Sequence, residues 1–436
     1  MTHQKYCALL VLLLATVSWA QTTAAPGESP SAVPASEEGA TNVISGGLRV
    51  STYFDDNASN NADKRSNVAT YLEPHVSWQM TRNRMKWSLD YQPAFSWSYQ
   101  LSHYTSRTQA GDAKLEYQLT KRLLINVRDV YDVTTNTFDQ LSGQEFAPTF
   151  NIFDRPNDSL LLPATRRTTE LGAVDVVYQL ARHTVTGISG TFSQFRYRSL
   201  DVGQGLTVEP VGTTSVDGRA FATQHISRRT WVGLEYSLDD FNSPNRQTRS
   251  RVQNILYTHS LVFNRKMGLS LFAGPEYSHN HDVFQLSFGP LLLSVPENHD
   301  HWSWAAGGTL GWAGEFTSLN VSASRQISDG AGLAVALRLE RVGIELQRKL
   351  TRRWTGRLTA DYDRNQLLDT SAGTGSLNYF SGSVGLTRDL TRDLSLELRY
   401  WRTQQTFTGT TFSGLPLSHN RASVALNYTF SHLLGR

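Results

Sequence analysis

Four histidines gather at two points of the sequence, His279-Asn280-His281 and His299-Asp300-His301. Read as the two shoulders of one loop closed by a hairpin, they bring four imidazoles and a carboxylate together. Neutral imidazole and carboxylate are ligands for zinc, copper and nickel. The chemistry on offer is therefore a zinc or copper site at His279, His281, His299 and His301. The alternative is a solvated loop shoulder, where polar residues are ordinary. No other cofactor is indicated.

A second set of residues is charged and spaced along alternating segments. It comprises Lys86, Asp90, Asp112, Lys114, Glu116, Arg128, Asp132, Glu235, Asp239, Glu276, Arg338, Arg357, Asp361, Glu397 and Arg399. Each falls on the polar face of its segment, so together they would line an aqueous interior. Their signs are mixed, which predicts little ion selectivity; the plain alternative is a solvated wall whose charges pair across strands. A third feature is the stretch from about 134 to 167, the longest connection, which carries Phe138, Phe146, Phe150 and Phe153 among other apolar residues. A loop that apolar must bury itself. It would form a constriction, cap a mouth, or pack against a neighbouring barrel.

Catalytic signatures are absent from the sequence. There is no nucleophile elbow, Gly-rich phosphate loop or metalloprotease helix motif. The expectation is a protein that is not an enzyme. Formal net charge is only +3, so charge predicts no nucleic-acid partner.

The elements that would position these residues are strands. Met85 to Tyr99 reads MKWSLDYQPAFSWSY: Met85, Trp87, Leu89, Tyr91, Pro93, Phe95, Trp97 and Tyr99 share one face and polar or small residues the other. Successive strand side chains point to opposite faces, so one face is wholly apolar. Fifteen residues is long for a soluble sheet and suits a tilted strand crossing a bilayer. About eighteen such segments, or sixteen on a stricter reading, follow one another. Parity slips near residue 340, which predicts a bulge.

Short basic connections alternate with long irregular ones at 55–66, 134–167, 195–213, 279–301, 364–378 and 405–420. The short ones repeat a polar, an apolar, a small or Thr, then a basic residue, as in Gln79-Met80-Thr81-Arg82, Gln118-Leu119-Thr120-Lys121 and Lys349-Leu350-Thr351-Arg352. Tight periplasmic turns and long extracellular loops show this asymmetry in transmembrane barrels. Trp and Tyr bracket many strands, which predicts two aromatic girdles at the headgroup levels. Mean hydropathy of −0.36 is compatible with this, because lumen-facing polar residues cancel lipid-facing apolar ones.

The first twenty residues read as a signal peptide: Lys5, an apolar core from Cys7 to Val17, then Ser18-Trp19-Ala20. Cys7 is the only cysteine and lies in the part removed, so no disulfide or thiolate site follows. Residues 21–42, rich in Ala, Ser, Pro and Glu, read as a flexible periplasmic leader too short to be a plug. Residues 43–436 form the barrel.

The final strand, Arg421 to Phe430, places Ala422, Val424, Leu426, Tyr428 and Phe430 on one face. It resembles the terminal signal of Gram-negative outer-membrane porin-like barrels, in which aromatic residues close the last strand; here Ser431 to Arg436 follow. The resemblance implies an all-β antiparallel transmembrane barrel in the bacterial outer membrane, inserted by the barrel-assembly machinery through that strand. Its partners would be outer-membrane lipid, small solutes or saccharides, and other copies in an oligomer. The expected function is a passive channel, since a barrel of this size without a plug leaves a water-filled lumen. The competing reading is a structural or partner-bound component of an envelope or exopolysaccharide-export assembly.

Overall fold

The computed structural model describes residues 41–58, 64–100, 106–135, 165–199, 211–243, 248–288, 291–328, 336–368, 375–409 and 417–434, with side chains except at 106, 199, 282–288 and 291–297. These form eighteen strands: β1 (Thr41–Asp55), β2 (Asn67–Arg82), β3 (Met85–Ser98), β4 (Ser106–Thr120), β5 (Leu123–Thr134), β6 (Thr165–Ala181), β7 (Thr184–Ser199), β8 (Thr213–Ser227) and β9 (Thr230–Ser243), then β10 (Thr248–Asn264), β11 (Met267–Phe288), β12 (Leu291–Ala313), β13 (Thr317–Ser328), β14 (Leu337–Lys349), β15 (Trp354–Leu367), β16 (Gly375–Asp389), β17 (Leu394–Gly409) and β18 (Leu417–Leu433). Every strand pairs antiparallel with its chain neighbours, and β1 pairs with both β2 and β18. The sheet is thereby closed into a barrel.

The turn repeat has a physical basis. In four of the hairpins the strand gains one extra residue just before the turn: Leu119, Leu180, Ile226 and Phe263 sit in the register shifts of β4, β6, β8 and β10. All four are large, apolar and exposed. In three of them the next residue is Thr, Ser or Asn, whose side chain accepts the amide two positions on: Arg122 N–H to Thr120 (3.2 Å), Arg229 N–H to Ser227 (3.2 Å) and Lys266 N–H to Asn264 (2.8 Å); after Leu180 it is Ala181. Such side chains mimic a backbone turn. The bulge re-aims one apolar residue at the membrane edge while the turn reverses the chain.

Outside the wall, large apolar side chains stand exposed in alternation, as with Leu234 and Tyr236, Ile255 and Tyr257, Val424 and Leu426. A soluble protein would not leave so continuous a belt in water. The architecture is an outer-membrane-type β-barrel. An arginine on the belt is expected to be costly: Leu271→Arg, about four residues into β11, should lower stability by roughly 2–4 kcal/mol. The check is the temperature at which the folded gel band converts to the unfolded one; an unchanged temperature would contradict the assignment of this face to lipid.

Two expectations about the elements need correction. No bulge lies near 340, because β14 pairs with β13 and β15 in unbroken register. Residues 279–301 are not an irregular loop. They continue the β11–β12 ladder, which pairs residue by residue up to Phe288↔Leu291.

That long hairpin changes the wall locally. Pairing of β12 with β13 stops at Ala306↔Arg325, although both strands run on. Beyond this point the belt side of β13 and β14 lies against the inward side of β10 to β12. Ile327 packs with Val252 and Ala336, and Phe241 and Leu368 pack around them. The wall is two layers thick there.

Candidate functional site

The inward face is a polar lumen built of cross-strand charge pairs. Side chains directly opposite on antiparallel strands lie close enough to pair, and mixed signs on neighbouring strands do so here. Asp112 accepts both Arg128 Nε (3.1 Å) and Nη2 (2.8 Å), with Lys114 Nζ at 3.4 Å. Asp90 stands opposite Asp112 on β3. Lys86 and Glu116 face each other at 3.6 Å. Arg219 meets Glu235 at 2.9 Å, and Arg357 meets Glu345 at 2.6 Å. Arg341 makes a two-pronged contact with Asp363 at 2.8 and 2.9 Å, both side chains buried.

One network spans the closure seam. Arg49 on β1 reaches Glu73 on β2 (3.2 Å), Glu397 on β17 (2.8 Å) and Asn427 on β18 (3.2 Å). A single guanidinium thus ties together strands from both ends of the chain. At the outer end of the seam, Asp55 is held by His419 and by Arg421 (3.3 Å), and its other neighbour Asp56 accepts the Asn420 side-chain amide at 2.6 Å. Asp55, Asp56 and His419 could offer ligand atoms to one ion. Arg421 already supplies the positive charge at Asp55, so the cluster reads as a clasp.

Of the fifteen charged residues expected inside, fourteen project inward on the strand parity seen here: Lys86, Asp90, Asp112, Lys114, Glu116, Arg128, Asp132, Glu235, Asp239, Glu276, Arg357, Asp361, Glu397 and Arg399. Arg338 and Glu276 are corrections. Arg338 shares the face of Val342 and Ile344, which are outward and exposed for Val342 at 52%. It contacts His301 Nε2 at 2.7 Å, between the two wall layers. Glu276 points inward from β11, but β13 covers it; its Oε1 accepts the Ile327 backbone N–H at 2.8 Å. It satisfies an amide that β12 no longer pairs. Arg49, Glu73, Arg219, Arg341, Glu345 and Asp363 complete the lumen pairs and were not among those expected from the sequence.

The histidines do not converge. Tyr277, His279 and His281 share the outward face of β11, whereas Glu276, Ser278 and Asn280 are buried inward. On β12 the exposed Trp302 and Trp304 mark the even positions as outward, which turns His299 and His301 inward. The wall separates the two pairs. His279 Nδ1 bonds Asp300 (2.6 Å), which also accepts Tyr277 OH (2.9 Å), and His281 Nδ1 lies 2.7 Å from Asn298 Oδ1. The His279 imidazole and Tyr277 hydroxyl hold the Asp300 carboxyl below the usual range. The four-histidine zinc or copper site is therefore not formed, because a strand alternates where a loop shoulder would have gathered its ends.

Exposure of the wall changes along the axis. In the periplasmic half, Arg49, Lys86, Glu116 and Arg357 remain partly open to solvent. Toward the outer end, inward side chains such as Tyr71, Asn365, Tyr379, Gln405 and His419 are buried. These inward side chains are thus more open to solvent near the short turns than toward the outer end. Phe138, Phe146, Phe150 and Phe153 lie outside the described residues, as do the signal segment and almost all of the leader.

No protein-family model matches the chain, and no curated protein does. Among solved structures, the chain is similar in fold to Pseudomonas aeruginosa OccK9 (OpdG), at 10% identity and a TM-score of 0.45, covering 90% of this chain and 98% of that one. It is similar also to Pseudomonas aeruginosa OpdK with vanillate (11%, TM-score 0.44, 89% and 99% covered). A third is Pseudomonas aeruginosa OccK2 (OpdF) in complex with glucuronate (10%, TM-score 0.42, 90% and 98%).

Proposed function

We propose that the barrel is a passive aqueous channel for small polar solutes or saccharides. The observation that carries this reading is the lumen wall: eighteen strands enclose a bore too wide for wall side chains to fill, and that wall is lined by paired charges of both signs. Paired charges keep water in the bore without presenting a strong field of either sign. The shielding toward the outer end would set the size limit. No catalytic role is assigned. Insertion would proceed through β18, whose Val424, Leu426, Tyr428 and Phe430 face outward.

The same shielding favours a second reading, a barrel that stays shut until a partner in an envelope or exopolysaccharide-export assembly engages it. Sugar-driven swelling of proteoliposomes separates the two. Arabinose should enter and swell the vesicles faster than raffinose. A folded, heat-modifiable barrel that admits neither sugar would favour the partner-bound reading. Deleting 138–162 should speed the entry of raffinose if those phenylalanines form the constriction.

A further inference from the structure

The outer rim of β6 and β7 presents arginines away from the lumen. Arg166 stands directly opposite Arg198, and Arg196 stands opposite Thr168, on the face that carries Ile188 and Phe192 lower down. Arg107 on β4 joins them at the same height: Gln109 is opposite Val133, which is opposite Thr168, so Arg107 lies one outward position above, level with Arg166. All four are exposed. Among the described residues the carboxylate in ion-pair range of these arginines is Glu170, at 3.6 Å from Arg196. Like charges directly opposite across two strands are destabilising, so this arrangement gains by holding an anion between its guanidinium groups.

Height and direction identify the anion. Glu170 is opposite Tyr131, an outward ring at the upper edge of the apolar belt. Arg166 is four residues beyond Glu170, which at about 3.3 Å per residue and a strand tilt near 40° is roughly 10 Å above that edge. This is the polar layer of the outer leaflet. A solute crossing the lumen never meets this face, whereas a lipid headgroup standing beside the barrel does. Guanidinium forks match phosphate oxygens two at a time.

We propose that Arg107, Arg166, Arg196 and Arg198 form a binding site for the phosphate groups of an anionic glycolipid of the outer leaflet. The lipid would stand against β4 to β7, its acyl chains on Val174, Ile188 and Phe192 and its phosphates between Arg166 and Arg198.

The test uses the full mature chain refolded in detergent without lipid, with bis-phosphorylated hexa-acyl lipid A as the probe and native mass spectrometry as the readout. Wild type should retain the lipid, less so as salt rises. The Arg166→Gln/Arg198→Gln pair should bind at least tenfold more weakly, and the Arg166→Lys/Arg198→Lys pair between the two, since lysine keeps the charge and loses the fork. Lipid A stripped of both phosphates should not bind above the level of that glutamine pair. Heat-modifiable mobility of each variant reports that the barrel is folded. Equal binding by wild type and the glutamine pair would overturn the proposal, as would undiminished binding of the dephosphorylated lipid. Inorganic pyrophosphate binding the lipid-free barrel as tightly as lipid A does would overturn the lipid assignment.

Discussion

Gly47→Val is expected to prevent the barrel from closing, so that membranes contain little or no heat-modifiable protein. An ideal Cβ at Gly47 would lie 2.3 Å from the Tyr428 carbonyl oxygen and 2.3 Å from His75 Cε1. The imidazole can rotate away. The carbonyl belongs to the backbone of β18, and moving it breaks the only ladder that joins the first strand to the last. Because β1 bonds both β2 and β18, its displacement opens the whole sheet and exposes unpaired amides to lipid, each at a cost of several kcal/mol. Gly46→Ala makes the contrast: its nearest neighbour is the tip of the Phe430 ring at 2.8 Å, a side chain that can swing toward lipid. That variant should assemble. Normal assembly of both variants would contradict the closure register.

Arg341→Met is expected to destabilise the folded barrel by about 3–5 kcal/mol, the usual result of leaving one charge of a buried pair without its partner. Arg341 and Asp363 are 8% and 4% exposed and meet through two bonds. The methionine keeps most of the packing and removes the charge, which leaves the buried Asp363 carboxylate, opposite Tyr379 on β16, without its partner on β14. Removing both charges, as Arg341→Met/Asp363→Leu, should recover much of the loss, since well-packed apolar replacements of a buried pair are often neutral. Urea midpoints of the three proteins in the same detergent decide it. Equal midpoints for the single variant and wild type would show that water reaches this pair freely.

The strands were legible because lipid writes a period of two onto a sequence. Wherever an outward face meets acyl chains, as from Trp87 to Trp97, apolar residues recur at every second position, and the expected count of about eighteen agrees with the eighteen strands described. The turn repeat was legible for a related reason, since each position answers a local demand. Where the chain leaves the bilayer, the outward face needs no apolar residues and the signal ends, although the hydrogen-bonded ladder does not. Residues 279–301 are such a region, and reading them as a loop gathered histidines that alternation divides.

Arg338 and Glu276 were misplaced for another reason. Parity assigns a face, and it equates that face with lumen or lipid only where the wall is one layer thick. At β10 to β14 the two layers meet, so an outward arginine and an inward glutamate end up in the same interior. Leu337 and Leu339, apolar and fully buried on the inward face of β14, inverted the hydropathy pattern there. The Arg49 network was beyond local reading altogether, since Arg49 and Glu397 are 348 residues apart and only closure brings them together.

The most direct test of the channel itself is single-channel recording from the purified, heat-modifiable barrel in a planar bilayer. Discrete, stable current steps proportional to voltage are expected, with a small reversal potential under a potassium chloride gradient because the lumen charges are paired and of both signs. A bilayer that stays silent with folded protein inserted would contradict the account.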